Sequence, residues 1–125
     1  MAEIKNVFDI AARSMSAQMV RLNTVASNLA NARSVASTEA EAYRAIKPVF
    51  KTIYADDIQK TGVASVDVVD IVAIDRAPDK IYQPGHPKAD KDGYIYTAAV
   101  DTEEEMVEML EASRQYENNV EVIST

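Results

Sequence analysis

The sequence predicts an α+β fold in which two long antiparallel terminal helices form a coiled-coil hairpin beside a small β-rich middle domain. Three observations lead there. Both ends of the chain repeat apolar residues in steps of three and four, the spacing of one helix face. All four prolines and all three glycines fall between residues 48 and 93. That same middle region is rich in Val, Ile and Tyr, the composition of strands. The expected boundaries are residues 1–33 for the first helix, 34–42 for a linker loop, 43–101 for the β-rich domain and 102–125 for the second helix, which rejoins the first in one helical unit.

In the first helix, Phe8, Ala11, Met15, Leu22, Val25, Leu29 and Ala32 mark an a/d stripe, with Gln18 at the one polar seam position. A helix from Asn6 to Ala32 is roughly 40 Å long at about 1.5 Å per residue. Asn6 and Asp9 are placed to cap it. In the second helix, Met106, Met109, Ser113, Tyr116, Val120 and Ile123 repeat the pattern. Thr102 with Glu105 matches a capping box, and Glu103, Glu104 and Glu105 put negative charge where the helix dipole favours it. That helix is expected to start near Glu103, and with no Gly or Pro before Thr125 its natural end is expected further on.

Between the helices, Tyr43 to Tyr54 and Val63 to Ile74 read as strands, the second with Val66, Val68, Val72 and Ile74 on one face and Asp70 interrupting it. Pro48 suits an edge strand or a strand end. Gly62 marks a turn, Asp92-Gly93 a hairpin-type turn, and Pro84-Gly85-His86-Pro87 a loop. Ser34 to Ala42 lacks an apolar period and reads as a linker.

Because both helices leave the same small domain, one by its C-terminal end and the other by its N-terminal end, seam pairing makes them antiparallel. Each also carries apolar residues off the seam: Ile10, Met19 and Val20 on the first, Val107 and Leu110 on the second. A helix apolar on more than one side is normally covered on more than one side. Either the helices fold back onto the middle domain, or other subunits cover them. The small size of the middle domain favours assembly.

Composition removes several functions. A net charge of -7 with scattered basic residues argues against nucleic acid, which needs clustered Lys and Arg. The absence of cysteine removes disulfides, thiolate metal sites and Cys nucleophiles. No cleaved signal peptide and no membrane-spanning run are expected. His86, the single histidine, sits in a Pro-Gly loop and reads as a surface or packing residue. Asp90-Lys91-Asp92-Gly93 reads as a turn and not a calcium loop, since the Gly arrives too early. Glu103, Glu104, Glu105, Glu108 and Glu111 read as a solvated helix face and not as paired catalytic carboxylates. Tyr82, Tyr94 and Tyr96 suit a small core or an interface. No catalytic residue, cofactor, metal or small-molecule substrate is expected.

The run Leu22-Asn23-Thr24-Val25-Ala26-Ser27-Asn28-Leu29-Ala30-Asn31-Ala32 resembles the N-terminal signature of flagellar rod and hook proteins. Ala77-Pro78, Ile81-Tyr82-Gln83-Pro84-Gly85-His86-Pro87, Ala89-Asp90 with Gly93-Tyr94, Glu105-Met106-Val107 with Met109, and Ala112-Ser113-Arg114 with Tyr116 and Asn119 resemble the proximal-rod members of that superfamily in order and spacing. Tyr43-Arg44 and Val49-Phe50 fit its first strand. Ala98-Ala99-Val100 departs from the Pro-Asn-Val usual there, and Ser34 to Ala42 is poorer in Gly and Pro.

The resemblance implies a structural subunit, not an enzyme, exported without a cleaved signal by the flagellar type III apparatus. It implies packing in the basal-body rod within the periplasm, around the export channel, beside other copies and the rod proteins FlgB, FlgF and FliE, with FlgG as a further candidate. On this reading Phe8, Met15, Leu22, Val25, Leu29, Met106, Met109, Tyr116 and Val120 form the helix seam, and Asn23, Ser27, Asn28, Asn31, Arg114 and Asn119 make polar contacts between subunits.

Overall fold

The computed structural model describes residues 2–54 and 64–124. The turn expected at Gly62 lies outside them. The element order is α1 (Ala2–Ala30), β1 (Val35–Ala36), β2 (Ile46–Tyr54), β3 (Ala64–Ala73), β4 (Lys80–Tyr82), β5 (Tyr94–Thr97) and α2 (Thr102–Ser124). Two long helices therefore bracket a β-rich middle, as the distribution of Gly and Pro predicts.

Both expected helix caps are corrected. Asn6 lies inside α1, which begins four residues earlier. At the start of α2 the capping side chain is Asp101, one residue before the expected Thr102. Its Oδ1 accepts from Glu103 N at 3.1 Å and Glu104 N at 3.2 Å. A carboxylate here satisfies two otherwise orphaned N–H groups and faces the positive end of the helix dipole.

The strands make two separate antiparallel sheets. One is the long β2–β3 hairpin, and the other is three-stranded in the order β1-β5-β4. In a two-stranded hairpin both strands are edges, so Pro48 sits within β2 opposite Ile71 without removing an inner ladder bond. The face expected for the second strand is corrected by a β-bulge. Val49 pairs with Asp70 and Phe50 with Val68, which leaves Val69 extra. The extra residue switches the alternation, so Val68 shares a face with Ile71 and Ala73, and Val72 joins Asp70 on the other.

Segment 34–42 is not only a linker, because β1 lies within it and pairs with β5. The sheets meet at Ala45. Ala45 N donates to Ala99 O at 3.1 Å, Ile74 N donates to Ala45 O at 2.8 Å, and Ala99 N donates to Tyr43 O at 2.8 Å. Ala42, Ala45, Ala98 and Ala99 are all buried at this crossing, where small side chains let three backbone segments approach. The Ala98-Ala99 pair thus has a structural use.

The loop from Gln83 to Gly93 closes the β4–β5 hairpin. Asp90 Oδ1 accepts from Asp92 N at 2.9 Å and from Tyr94 N at 2.8 Å, and Gly93 N donates to Asp90 O at 3.1 Å. This is the expected turn. His86 is half-buried and accepts from Lys88 N through Nδ1 at 3.0 Å, a local packing role.

Gly93 has φ +85°, and an added Cβ would stand 2.9 Å from Tyr82 Cε1 and 3.0 Å from Pro84 Cβ. A Cβ on Gly85 meets nothing within 4 Å. We therefore expect Gly93→Ala to destabilise the chain by about 1–3 kcal/mol and Gly85→Ala to stay within about 0.5 kcal/mol of the parent. Equal midpoints for the two variants in thermal denaturation would contradict this account of the loop.

Candidate functional site: the helix pair and its latch

The helices pair antiparallel. Arg21 of α1 reaches Glu108 and Glu111 of α2. Further back along α1, Ser14, Ala17 and Gln18 share a surface cleft with Glu111 and Gln115 of α2. Position on α1 falls as position on α2 rises.

Among the described side chains, those buried on α1 are Ala11, Ala17, Thr24, Val25 and Asn28, and those on α2 are Glu105 and Ala112. At about 100° per residue, the buried face of α1 is turned roughly one residue away from the predicted seam. Of the nine predicted seam residues, only Val25 is buried within the single chain. Met15, Leu22, Leu29 and Tyr116 are half-buried, and Phe8, Met106, Met109 and Val120 are exposed. Alanine and polar side chains, rather than a row of large apolar knobs, hold the pair. The physical reason is that α1 must also receive the β2–β3 hairpin, which lies along it from Ile46 beside Asn28 to Asp67, 3.8 Å from Arg13.

Asn28 organises this junction. It is 1% exposed, the largest fully buried side chain among the described residues. Its Oδ1 accepts from Ile46 N at 2.8 Å and from Tyr43 Oη at 2.7 Å, while its Nδ2 donates to Ile46 O at 2.9 Å. Ile46 lies opposite Ala73, next to the Ala45 carbonyl that accepts from Ile74 N. In antiparallel alternation its own N–H and C=O then point away from β3. The Asn28 amide bonds both, as a neighbouring strand would. Asn28, expected to contact another subunit, has its amide enclosed and bonded within the chain.

The other polar candidates divide. Ser27 Oγ lies 3.3 Å from Tyr43 Oη, and Asn31 Nδ2 donates to Ser27 O at 2.8 Å, so both reinforce the end of α1. Asn119 is half-buried, and Asn23 and Arg114 are exposed.

Arg21 was not singled out from the sequence. Its side chain is 15% exposed, and Nε and Nη2 donate to Glu108 Oε2 at 2.9 and 2.7 Å, with Glu111 Oε2 at 3.2 Å from Nη2. The expected solvated acidic face holds for Glu103, Glu104 and Glu111 and is corrected for Glu108, which is half-buried against Arg21, and for Glu105, which is 3% exposed. Near the hairpin root, Glu104 lies 3.4 Å from Lys47 and 3.5 Å from Arg76. Exposed pairs of this kind contribute little stability but favour one docking of α2. At the far end of the middle domain, Lys80 Nζ stands 4.3 Å from the Tyr94 ring centre, and Tyr82 meets Tyr94 edge-on at 5.2 Å.

No group of three or more His, Cys, Asp or Glu side chains among the described residues is arranged to hold a metal ion, and no helix there is long and apolar enough to cross a membrane. The larger chemistry is on the surface. Among the described residues the buried apolar side chains are Val25, Pro78, Ile95 and seven alanines, whereas large ones such as Phe8, Met106, Val107 and Leu110 are exposed. A folded monomer of this mass exposes about 6,600 Å² by surface scaling. This chain exposes 8577 Å².

The family described as flagella basal body rod protein matches residues 8–33, and that described as the flagellar basal body rod FlgEFG protein C-terminal region matches residues 91–125. The chain is 46% identical over 121 residues to the flagellar basal-body rod protein FlgC of Escherichia coli O157:H7, covering 96% of this chain and 87% of that protein. The FlgC proteins of Salmonella typhimurium and Aquifex aeolicus are 43% and 36% identical, covering 96% and 99% of this chain and 87% and 90% of their own lengths.

Replacing Asn28 with Ala leaves Ile46 N–H and Ile46 C=O without a side-chain partner and leaves Tyr43 Oη with Ser27 Oγ alone. We expect Asn28→Ala to cost about 3 kcal/mol and Tyr43→Phe about 1 kcal/mol. In a double-mutant cycle by chemical denaturation the two should couple by more than about 0.5 kcal/mol, and simple additivity would contradict the shared bond.

Proposed function

The chain belongs to the FlgC family of flagellar basal-body rod proteins and is a structural subunit of that rod, and from this premise we propose that it builds the proximal rod by helical assembly around the export channel. The observation that carries the mechanism is the inverted distribution of apolar residues, with alanines inside and Met, Val, Leu and Phe outside. Surface of this kind is normally covered by a partner.

The terminal helices supply most of that surface. Val107 is 63% exposed and Leu110 68%, while Val7 and Met19 are 50% and 44% exposed on α1. In the assembled rod, Phe8, Met15, Leu22 and Leu29 on α1 and Met106, Met109, Tyr116 and Val120 on α2 complete coiled-coil seams with neighbouring subunits. Asn23, Arg114 and Asn119 make polar contacts between them. The neighbours in this reading are further copies and the rod proteins FlgB, FlgF, FliE and FlgG. The subunit reaches the periplasm through the flagellar type III apparatus without a cleaved signal.

The work is mechanical and no catalytic step is involved. A rod transmits torque when its subunits resist sliding, and close-packed interfaces resist because small displacements lose many dispersion contacts together. The hairpin along α1, the Asn28 latch and the Arg21 ion pair keep each subunit stiff, so that load passes to the interfaces.

Leu110→Asp tests the reading, since Leu110 touches little within the chain. The purified variant should keep the parent's thermal midpoint, within about 0.5 kcal/mol in stability. In cells it should be absent from isolated basal bodies and swimming should stop. Normal motility in that strain would refute the assembly role of this face.

A further inference from the structure

Glu105 is a charged residue in an unusual position. It is 3% exposed and lies between two clefts, one of about 360 Å³ bounded by Arg21, Val25, Lys47, Pro48, Phe50 and Glu108, and a second on the far side of Lys47. Its carboxylate has no hydrogen bond or ion pair to the chain: Arg21 goes to Glu108 and Glu111, and Lys47 and Arg76 go to Glu104. No unpartnered side-chain oxygen among the described residues is sealed from solvent, so the Glu105 oxygens open into the clefts. A buried carboxylate lacking a cation is costly, and one that opens onto a cleft is placed to receive one from outside.

The opposite side of α2 offers that cation. Arg114 is exposed and has no partner in the chain. It is nine residues from Glu105, which at about 100° per residue puts the two on opposite sides of the helix. Arg114 continues the exposed row of Val107 and Leu110. The larger cleft has matching walls: Phe50 is 40% exposed at its rim, Pro48 and Val25 line it, and the acid is at its floor.

We propose that a second copy of this chain docks the Val107–Leu110–Arg114 side of its α2 over the cleft between α1, α2 and β2, with the Arg114 guanidinium meeting the Glu105 carboxylate. This deepens the rod reading and rests on it. An arginine suits the task because its planar fork can give two parallel bonds to one carboxylate. The contact uses different surfaces on the two copies, so each copy can accept at one side of α2 and donate at the other. Such head-to-tail contacts continue into rings or helical filaments instead of closing as dimers.

The chain contains no cysteine, so introduced thiols are unique to their positions. Two tagged forms, Lys47→Cys at the cleft rim and Arg114→Cys, are expressed together in motile cells, and isolated basal bodies are treated with a bismaleimide. A mixed dimer of the two tagged chains is expected. A second form, Arg114→Glu, should enter basal bodies roughly tenfold less than the parent, with an unchanged melting profile for the purified chain. If the cysteine forms enter basal bodies at parental yield and no mixed dimer forms, or if position 114 cross-links only to another protein, the proposed contact is wrong while the rod reading stands. If even the unaltered chain is missing from basal bodies, both readings fail.

Discussion

One side chain determines how the helical and β parts of this chain can be joined. The long hairpin has a free edge at Ile46, and a free strand edge invites pairing with whatever strand comes near. Asn28 closes that edge from within a helix, with one amide serving both the N–H and the C=O of Ile46. Because the amide carries a donor and an acceptor at fixed geometry, it sets the height and the rotation of α1 against β2 together. The rotation then decides which residues of α1 meet α2, which meet the hairpin and which face outward. Aspartate would lack the donor, and glutamine would move the amide one methylene further from the helix.

From that constraint follows the arrangement of the interior. Three backbone segments converge at Ala45, and the side chains buried around them are alanines. Alanine buries little area, so at roughly 25 cal/mol per Å² the apolar contribution within one chain is small for its length. Directional interactions therefore have a large share in fixing the geometry: the Asn28 amide, the Tyr43 hydroxyl, the Arg21 fork and the Asp101 cap. Hydrogen bonds and ion pairs each contribute modestly to stability, yet they discriminate strongly between one docking and another. The large apolar side chains remain outside.

Much of this was legible in the sequence. Gly and Pro located the middle domain, the three-four spacing located both helices, and Asp92-Gly93 located its turn. Less legible was which side of each helix would be covered, and by what. A heptad row says that a face is apolar, not whether the cover is the same chain or another. Phe8, Met106 and Val120 answer to the row and remain exposed in the single chain, whereas Ala17 and Ala112 are buried with little hydrophobic signal of their own. The β-bulge at Val69 was hidden because Val, Asp and Ile alternate plausibly in either register. Asn28 was visible as a signature residue but not as a latch, since its partner is a backbone group 18 positions away. Backbone partners leave no mark in side-chain identity.

A subunit built in this manner separates two requirements that a large apolar core would merge. A chain that satisfied its apolar surface internally would be stable alone and have little reason to assemble. One that satisfied nothing internally would be disordered until assembly and would lose the ordering entropy at that moment, at the expense of affinity. Here polar bonds order the junction between helices and strands in advance, and the outward rows of α1 and α2 keep their apolar area in reserve. Within the chain, α1 is held on one side by α2 and on another by the β2–β3 hairpin. A helix fixed on two sides has little freedom left to twist, and its third side keeps Val7, Phe8 and Met19 exposed.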